Sequence, residues 1–235
     1  MAQVADRRVL ERVDPDLVEH AARIGYEFLT GFKAVDRIGR PAATVFGSAR
    51  IREGHPMYDL ARRTGRLLAE EGFAVVTGGG PGIMEAANRG AQEAGGVSVG
   101  FRIHLARAEL ENRYLDISVL FEHFYARKTM LVKAAEGFIL FPGGFGTLDE
   151  LFEALVLIQT EEVEHFPAIL VGQSYWEGML SWIRRHPMRE AMVSPEDLDL
   201  LFVTNDPAEA VETIVDCYRN KCAESPAEPV KADAQ

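Results

Sequence analysis

The chain has 235 residues, 47% of them hydrophobic, which suits one α/β domain or one domain with an extra helical segment. Its formal charge of -11 argues against a nucleic-acid backbone or an anionic membrane as the main partner. A small phosphate-bearing ligand stays open, since it needs only a local positive pocket.

Residues 1–40 read as a helical extension, in which Leu17, Val18, Ala21, Ile24, Phe28 and Leu29 recur at helical spacing after Asp14-Pro15. Gly39-Arg40-Pro41 ends that pattern and opens a region, 41–220, in which apolar runs alternate with helical stretches. Strands are expected over 43–47, 73–77, 97–101, 117–121, 137–141, 168–171 and 200–203. Helices are expected over 58–70, 83–94, 124–135, 148–159, 176–185 and 207–218. Short apolar strands between amphipathic helices predict an α/β fold: a Rossmann-like, doubly wound parallel sheet flanked by helices. Residues 221–235, rich in Pro, Ala and charge, read as a disordered tail. No apolar run approaches the roughly 20 residues of a membrane span, and the charged stretch 1–14 is unlike a signal peptide, so a cytoplasmic chain is expected. Cys217 and Cys222 show neither zinc nor disulfide-framework spacing and are expected as reduced thiols.

In this fold ligands gather where strands end and helices begin. Two such turns are glycine-rich. The run 73–77 leads into Gly78-Gly79-Gly80-Pro81-Gly82, and the run 137–141 leads into Pro142-Gly143-Gly144-Phe145-Gly146. Without Cβ atoms the backbone can approach an anion closely, and the first amides of the following helix point at it. One such loop equally describes a tight turn with no ligand; two in one sheet favour a phosphate or nucleotide site. Neither is a dinucleotide or Walker fingerprint, and Gly172-Gln173-Ser174 does not complete a nucleophile elbow. The six histidines show no metal-ligand spacing.

The strings GGGPGIMEAA (Gly78 to Ala87) and PGGFGTLDE (Pro142 to Glu150), with Arg127-Lys128 between them, resemble the LOG family. Its members are often labelled lysine decarboxylases, and the best known release cytokinin bases from their nucleotides. The resemblance covers roughly residues 42–185. It implies a catalytic pair at Arg127 and Glu150. It implies a binding segment over Gly143, Gly144, Phe145, Gly146, Thr147, Leu148 and Asp149, with Lys128 beside the arginine. It also implies that Gly78, Gly79, Gly80 and Gly82, with Ser48 from the first turn, help to hold the phosphate. A further binding glutamate falls on Glu109 by spacing. Plant members usually carry a histidine where this chain has Tyr125, which touches the base preference rather than the Arg/Glu pair.

Bland readings stand beside these. Thr147-Leu148-Asp149-Glu150 matches a capping box, with Thr147 as N-cap and Glu150 reaching back to the chain. Arg127 is an ordinary helix residue except that positive charge at a helix start opposes the macrodipole. Glu85 reads as a favourable first-turn acid, and Glu153 as support for Glu150. Phe121, Phe124, Tyr125 and Met130 read as core or subunit interface.

The resemblance thus implies a hydrolase acting on N-glycosyl bonds: a nucleoside 5'-monophosphate phosphoribohydrolase that frees the base of AMP-like or cytokinin nucleotides from ribose 5-phosphate. No cofactor is expected, the family resemblance implies a homodimer or higher even oligomer, and the charge predicts no nucleic-acid or membrane partner. The alternative is a nucleotide- or cofactor-binding carrier of the same fold without turnover. Lysine decarboxylation would need a pyridoxal phosphate site, of which the sequence shows only spare lysines.

Overall fold

The computed structural model describes residues 16–104, 112–160 and 166–220. Helix α1 (Leu17–Asp36) precedes seven strands: β1 (Ala42–Phe46), β2 (Ala74–Thr77), β3 (Ser98–Ile103), β4 (Ile117–Phe121), β5 (Phe138–Leu140), β6 (Ala168–Val171) and β7 (Leu201–Thr204). The other helices are α2 (Pro56–Glu70), α3 (Ile83–Glu93), α4 (Phe124–Lys133), α5 (Phe145–Gln159), α6 (Gln173–Arg185), α7 (Pro195–Leu198) and α8 (Pro207–Arg219).

All neighbouring strands run parallel, in the order β4-β3-β2-β1-β5-β6-β7. The chain winds outward from β1 to β4, returns to the other side of β1 as β5, and winds outward again. This is the doubly wound, Rossmann-like sheet expected, and the direction reverses between β1 and β5.

Strand pleating sends successive side chains to opposite faces, and the inner strands are apolar on both. Ala42, Phe46, Val76, Phe138 and Leu170 share one core with Ala126, Met130, Leu151 and Trp176 of α4, α5 and α6. Ala43, Val45, Val75, Ile139 and Val171 share the other with Tyr58, Leu68, Ile83 and Ile214 of α2, α3 and α8. The edge strands β4 and β7 are only partly covered, so their solvent-facing positions are exposed. On the second face α2 and α3 cross closely: a Cβ on Gly65 would strike the Ala87 carbonyl, and one on Gly90 the Arg62 carbonyl. On the first, Gly31 of α1 lets the Met130 side chain of α4 come within 2.6 Å of where a Cβ would sit.

Three expectations change. Helix α5 starts at Phe145 with Gly144 as N-cap, three residues earlier than its apolar periodicity indicates, so Thr147 is not a cap and Glu150 lies well inside the helix. Helix α7 is an unexpected four-residue turn, started by a Ser194–Asp197 capping box with Pro195 at its first position. It is too short to carry a periodic signal. Cys217 is disulfide-bonded rather than reduced; its one possible partner in the sequence, Cys222, lies outside the described residues. The stretches 1–15 and 221–235 also lie outside the described residues.

Candidate functional site

The two glycine loops follow β2 and β5, and both strands are hydrogen-bonded neighbours of β1. Two strand spacings put the loops about 10 Å apart, on the same edge of the sheet. They therefore flank one crevice, and the turn after β1 ties them together. The Ser48 amide donates to the Pro142 carbonyl at 3.0 Å, and the Ser48 carbonyl accepts from the Ile83 amide, the first of α3, at 3.1 Å. The Ser48 hydroxyl accepts from the Arg50 amide at 3.1 Å.

The first loop has φ of 68° at Gly79 and 75° at Gly82, the left-handed region that glycine tolerates best. A Cβ on Gly82 would also collide with the Ser48 carbonyl. A buried polar network holds this loop from below. Thr77 Oγ1 donates to Asn88 Oδ1 at 2.6 Å and accepts from the Gly79 amide at 2.9 Å. Asn88 Nδ2 donates to Ser98 Oγ at 2.8 Å, while Asn112 Nδ2 reaches Asn88 Oδ1 at 2.9 Å and the Gly80 carbonyl at 3.3 Å. Arg102, at the end of β3, lies against Gly79. The second loop is tethered by the Tyr175 hydroxyl, which donates to the Gly143 carbonyl, and by Thr147, whose side chain fills the space a Cβ on Gly143 would need.

Arg127 projects from the first turn of α4 towards the first loop. Its Nε donates to the Phe101 carbonyl at 2.7 Å and its Nη2 to the Gly78 carbonyl at 3.3 Å. A Cβ on Gly78 would overlap this guanidinium. Lys128 turns instead to α5, with Nζ 2.9 Å from both Asp149 Oδ2 and Glu153 Oε2. Burial works against its charge, but the hydrogen bonds to Asp149 and Glu153 outweigh that and raise its pKa.

Glu150 is buried, and its Oε2 has no hydrogen-bond partner among the described residues. Burial pushes its carboxyl up to about 7, with Lys128 and Arg127 pulling downward and Glu153 and Asp149 adding to the rise. A buried carboxylate without the backbone bonds of a cap is costly to keep and is what acid–base chemistry uses. The N3 capping role that Thr147-x-x-Glu150 indicated is excluded by the real start of α5.

The geometry thus gathers Ser48, Gly78, Gly79, Gly80, Gly82, Arg127, Gly143, Gly144, Thr147 and Glu150 around one crevice, with Lys128 and Asp149 paired beside it. Phe145 is 91% exposed, pointing to solvent, and Leu148 packs against the core on the first face. Glu109 lies outside the described residues. Arg102, Asn88, Asn112 and Tyr175 were not singled out by sequence reasoning. Glu85 sits in the first turn of α3 as expected and accepts from the buried Tyr58 hydroxyl at 2.9 Å. Phe121 and Met130 are core, whereas Phe124 and Tyr125 are exposed. No helix among the described residues is long and apolar enough to cross a membrane.

A family model described as "Possible lysine decarboxylase" matches residues 84–214, more than half of the chain. A cytokinin riboside 5'-monophosphate phosphoribohydrolase of Mycobacterium tuberculosis is 29% identical over 160 residues, covering 66% of this chain and 83% of that protein. One from Rhodococcoides fascians is 28% identical over 177 residues, covering 74% of this chain and 88% of that protein. Among solved structures, the molybdenum cofactor binding protein of Rippkaea orientalis shares the fold with a TM-score of 0.56 at 23% identity, covering 76% of this chain and 98% of that one.

Proposed function

Because the chain belongs to the LOG family, whose model carries the possible-lysine-decarboxylase description, we propose that it is a nucleoside 5'-monophosphate phosphoribohydrolase. The reaction replaces the bond between base and ribose 5-phosphate with one to water. Positive charge develops on the ribose ring and negative charge on the departing base. The glycine loops flanking β1 take the 5'-phosphate, which sets the anomeric carbon near α5. Glu150, ionised, stabilises the ring cation or draws a proton from the attacking water. Arg127, a fixed charge with a rigid fork of donors, holds the nucleotide and balances the charge of the acid. Lys128, pinned by Asp149 and Glu153, favours the ionised form of Glu150.

The observation that carries this reading is the buried Glu150 carboxyl, whose Oε2 has no hydrogen-bond partner among the described residues and which feels the charges of Arg127 and Lys128. The names of the relatives point to cytokinin riboside 5'-monophosphates as substrates, and AMP-like monophosphates belong to the same proposal. A cytoplasmic homodimer or higher even assembly belongs to the same reading. The test is incubation of pure protein with a panel of nucleoside monophosphates, followed by chromatography of the free bases. Release of base and ribose 5-phosphate is expected; a folded protein that releases no base from any of them refutes the proposal.

The likeness to a molybdenum cofactor binding protein favours a second reading, a carrier that binds without turnover. Glu150→Gln separates the two. It removes turnover and spares binding in the enzyme, and it leaves a carrier's function intact.

A further inference from the structure

We propose that Glu27, on the helix that precedes the sheet, is a positioning residue for Arg127; only the kinetic part of this rests on the phosphoribohydrolase reading. Helix α4 carries Arg127 and Lys128 in its first turns, yet its N-cap residue, His123, makes no side-chain cap bond of its own. The cap comes from α1. Glu27 Oε1 accepts from the Glu122 amide at 2.8 Å and Oε2 from the His123 amide at 3.2 Å, across 95 and 96 residues of sequence. The same Oε2 lies 3.1 Å from Nδ1 of the buried His123 ring, and His123 Nε2 lies 3.1 Å from His20 Nε2, also on α1. If Nδ1–H is donated to Glu27, His123 Nε2 is left to accept from His20. The two rings lie stacked at 5.2 Å.

The next link is backbone. The His123 carbonyl accepts from the Arg127 amide at 3.2 Å. Glu27 thus fixes the residues that fix the start of Arg127, whose guanidinium lies against Gly78. A carboxylate at this helix end also offsets the unfavourable placement of Arg127 and Lys128 there. The N-terminal extension therefore does more than cover an edge of the sheet: it supplies the cap that aims the arginine.

The test combines amide hydrogen exchange over residues 122–127 with kinetics of Glu27→Ala, Glu27→Gln, Arg127→Ala and the Glu27→Ala/Arg127→Ala double variant. Glu27→Ala is expected to speed exchange across those amides and to lower kcat/KM by roughly 10- to 100-fold, as a misplacement of about 1 Å does. Glu27→Gln, which keeps an accepting oxygen, recovers part of the loss. In the Arg127→Ala background, Glu27→Ala has little further effect, because the group it aims is gone. Effects that multiply in the double variant, or exchange unchanged in both Glu27 variants, overturn the proposal. If the wild-type protein releases no base at all, the functional reading fails on its own. Exchange and AMP affinity then decide this one: faster exchange with weaker AMP binding supports it, and no change in either overturns it.

Discussion

A carboxyl moved from its ordinary 4.5 to about 7 leaves two signatures at Glu150. If the ionised form is the active one, kcat/KM for a nucleoside monophosphate rises with pH and levels off above about 7, since that ratio reports the free enzyme. Stability runs the other way. The folded state holds this proton more tightly than the unfolded chain, so its contribution is complete below about 4.5 and is lost as pH rises through about 7. The full difference is about 3 kcal/mol, an upper figure. Glu150→Gln, which cannot ionise, should therefore melt about 5–10 °C above wild type at pH 8 and close to it at pH 4.5, while losing turnover. Melting curves at the two pH values check this. Glycines in the first loop make a second contrast. Gly78→Ala pushes the flexible end of Arg127 aside, so activity should fall at least 10-fold with little change in melting temperature. Gly82→Ala sets a Cβ against the Ser48 backbone at a φ of 75°, so the protein itself should lose about 1–3 kcal/mol.

At the scale of elements, α2 and α3 approach so closely at Gly65 and Gly90 that no side chain fits between the backbones. Gly65→Ala should raise helix propensity yet destabilise the protein by about 1–3 kcal/mol, measurable by urea unfolding, because overpacking outweighs the gain of less than about 1 kcal/mol. Such elements were largely legible in the sequence. The inner strands are apolar on both faces, and the helices between them keep their periodicity, so order and type could be read from pattern alone. The start of α5 could not. Gly144 and Gly146 look like loop, and Thr147 with Glu150 imitates a cap, yet the helix starts at Phe145 and Thr147 packs its side chain against Gly143. The candidate site was legible where its residues sit in contiguous strings, as with Gly78 to Gly82 and Gly143 to Glu150. Asn88, Asn112 and Glu27 escaped because each acts on partners 10 to 96 residues away, and only the folded chain brings them together.

For the whole molecule, the reversal between β1 and β5 makes one crevice of two loops that lie some 60 residues apart in sequence. Helix α5 carries an exposed apolar stripe beside it. Phe145, Phe152 and Val156 fall on one stripe of α5 and are 91%, 42% and 54% exposed, an unusual load of large apolar side chains for solvent. Sedimentation should show an even-numbered assembly, and Phe152→Asp should shift it towards the monomer; a monomeric wild type would contradict the expected dimer.

The bridge through Ser48 has a consequence for how such a protein can diverge. Its bonds to Pro142 and Ile83 use only main-chain atoms, which every residue type but proline provides. On the proposed reading, substitutions around the crevice can therefore alter which base is welcome while the grip on the phosphate end survives. Variants of this chain retuned towards new bases would then keep the demand for a 5'-phosphate, and free nucleosides would stay poor substrates for them.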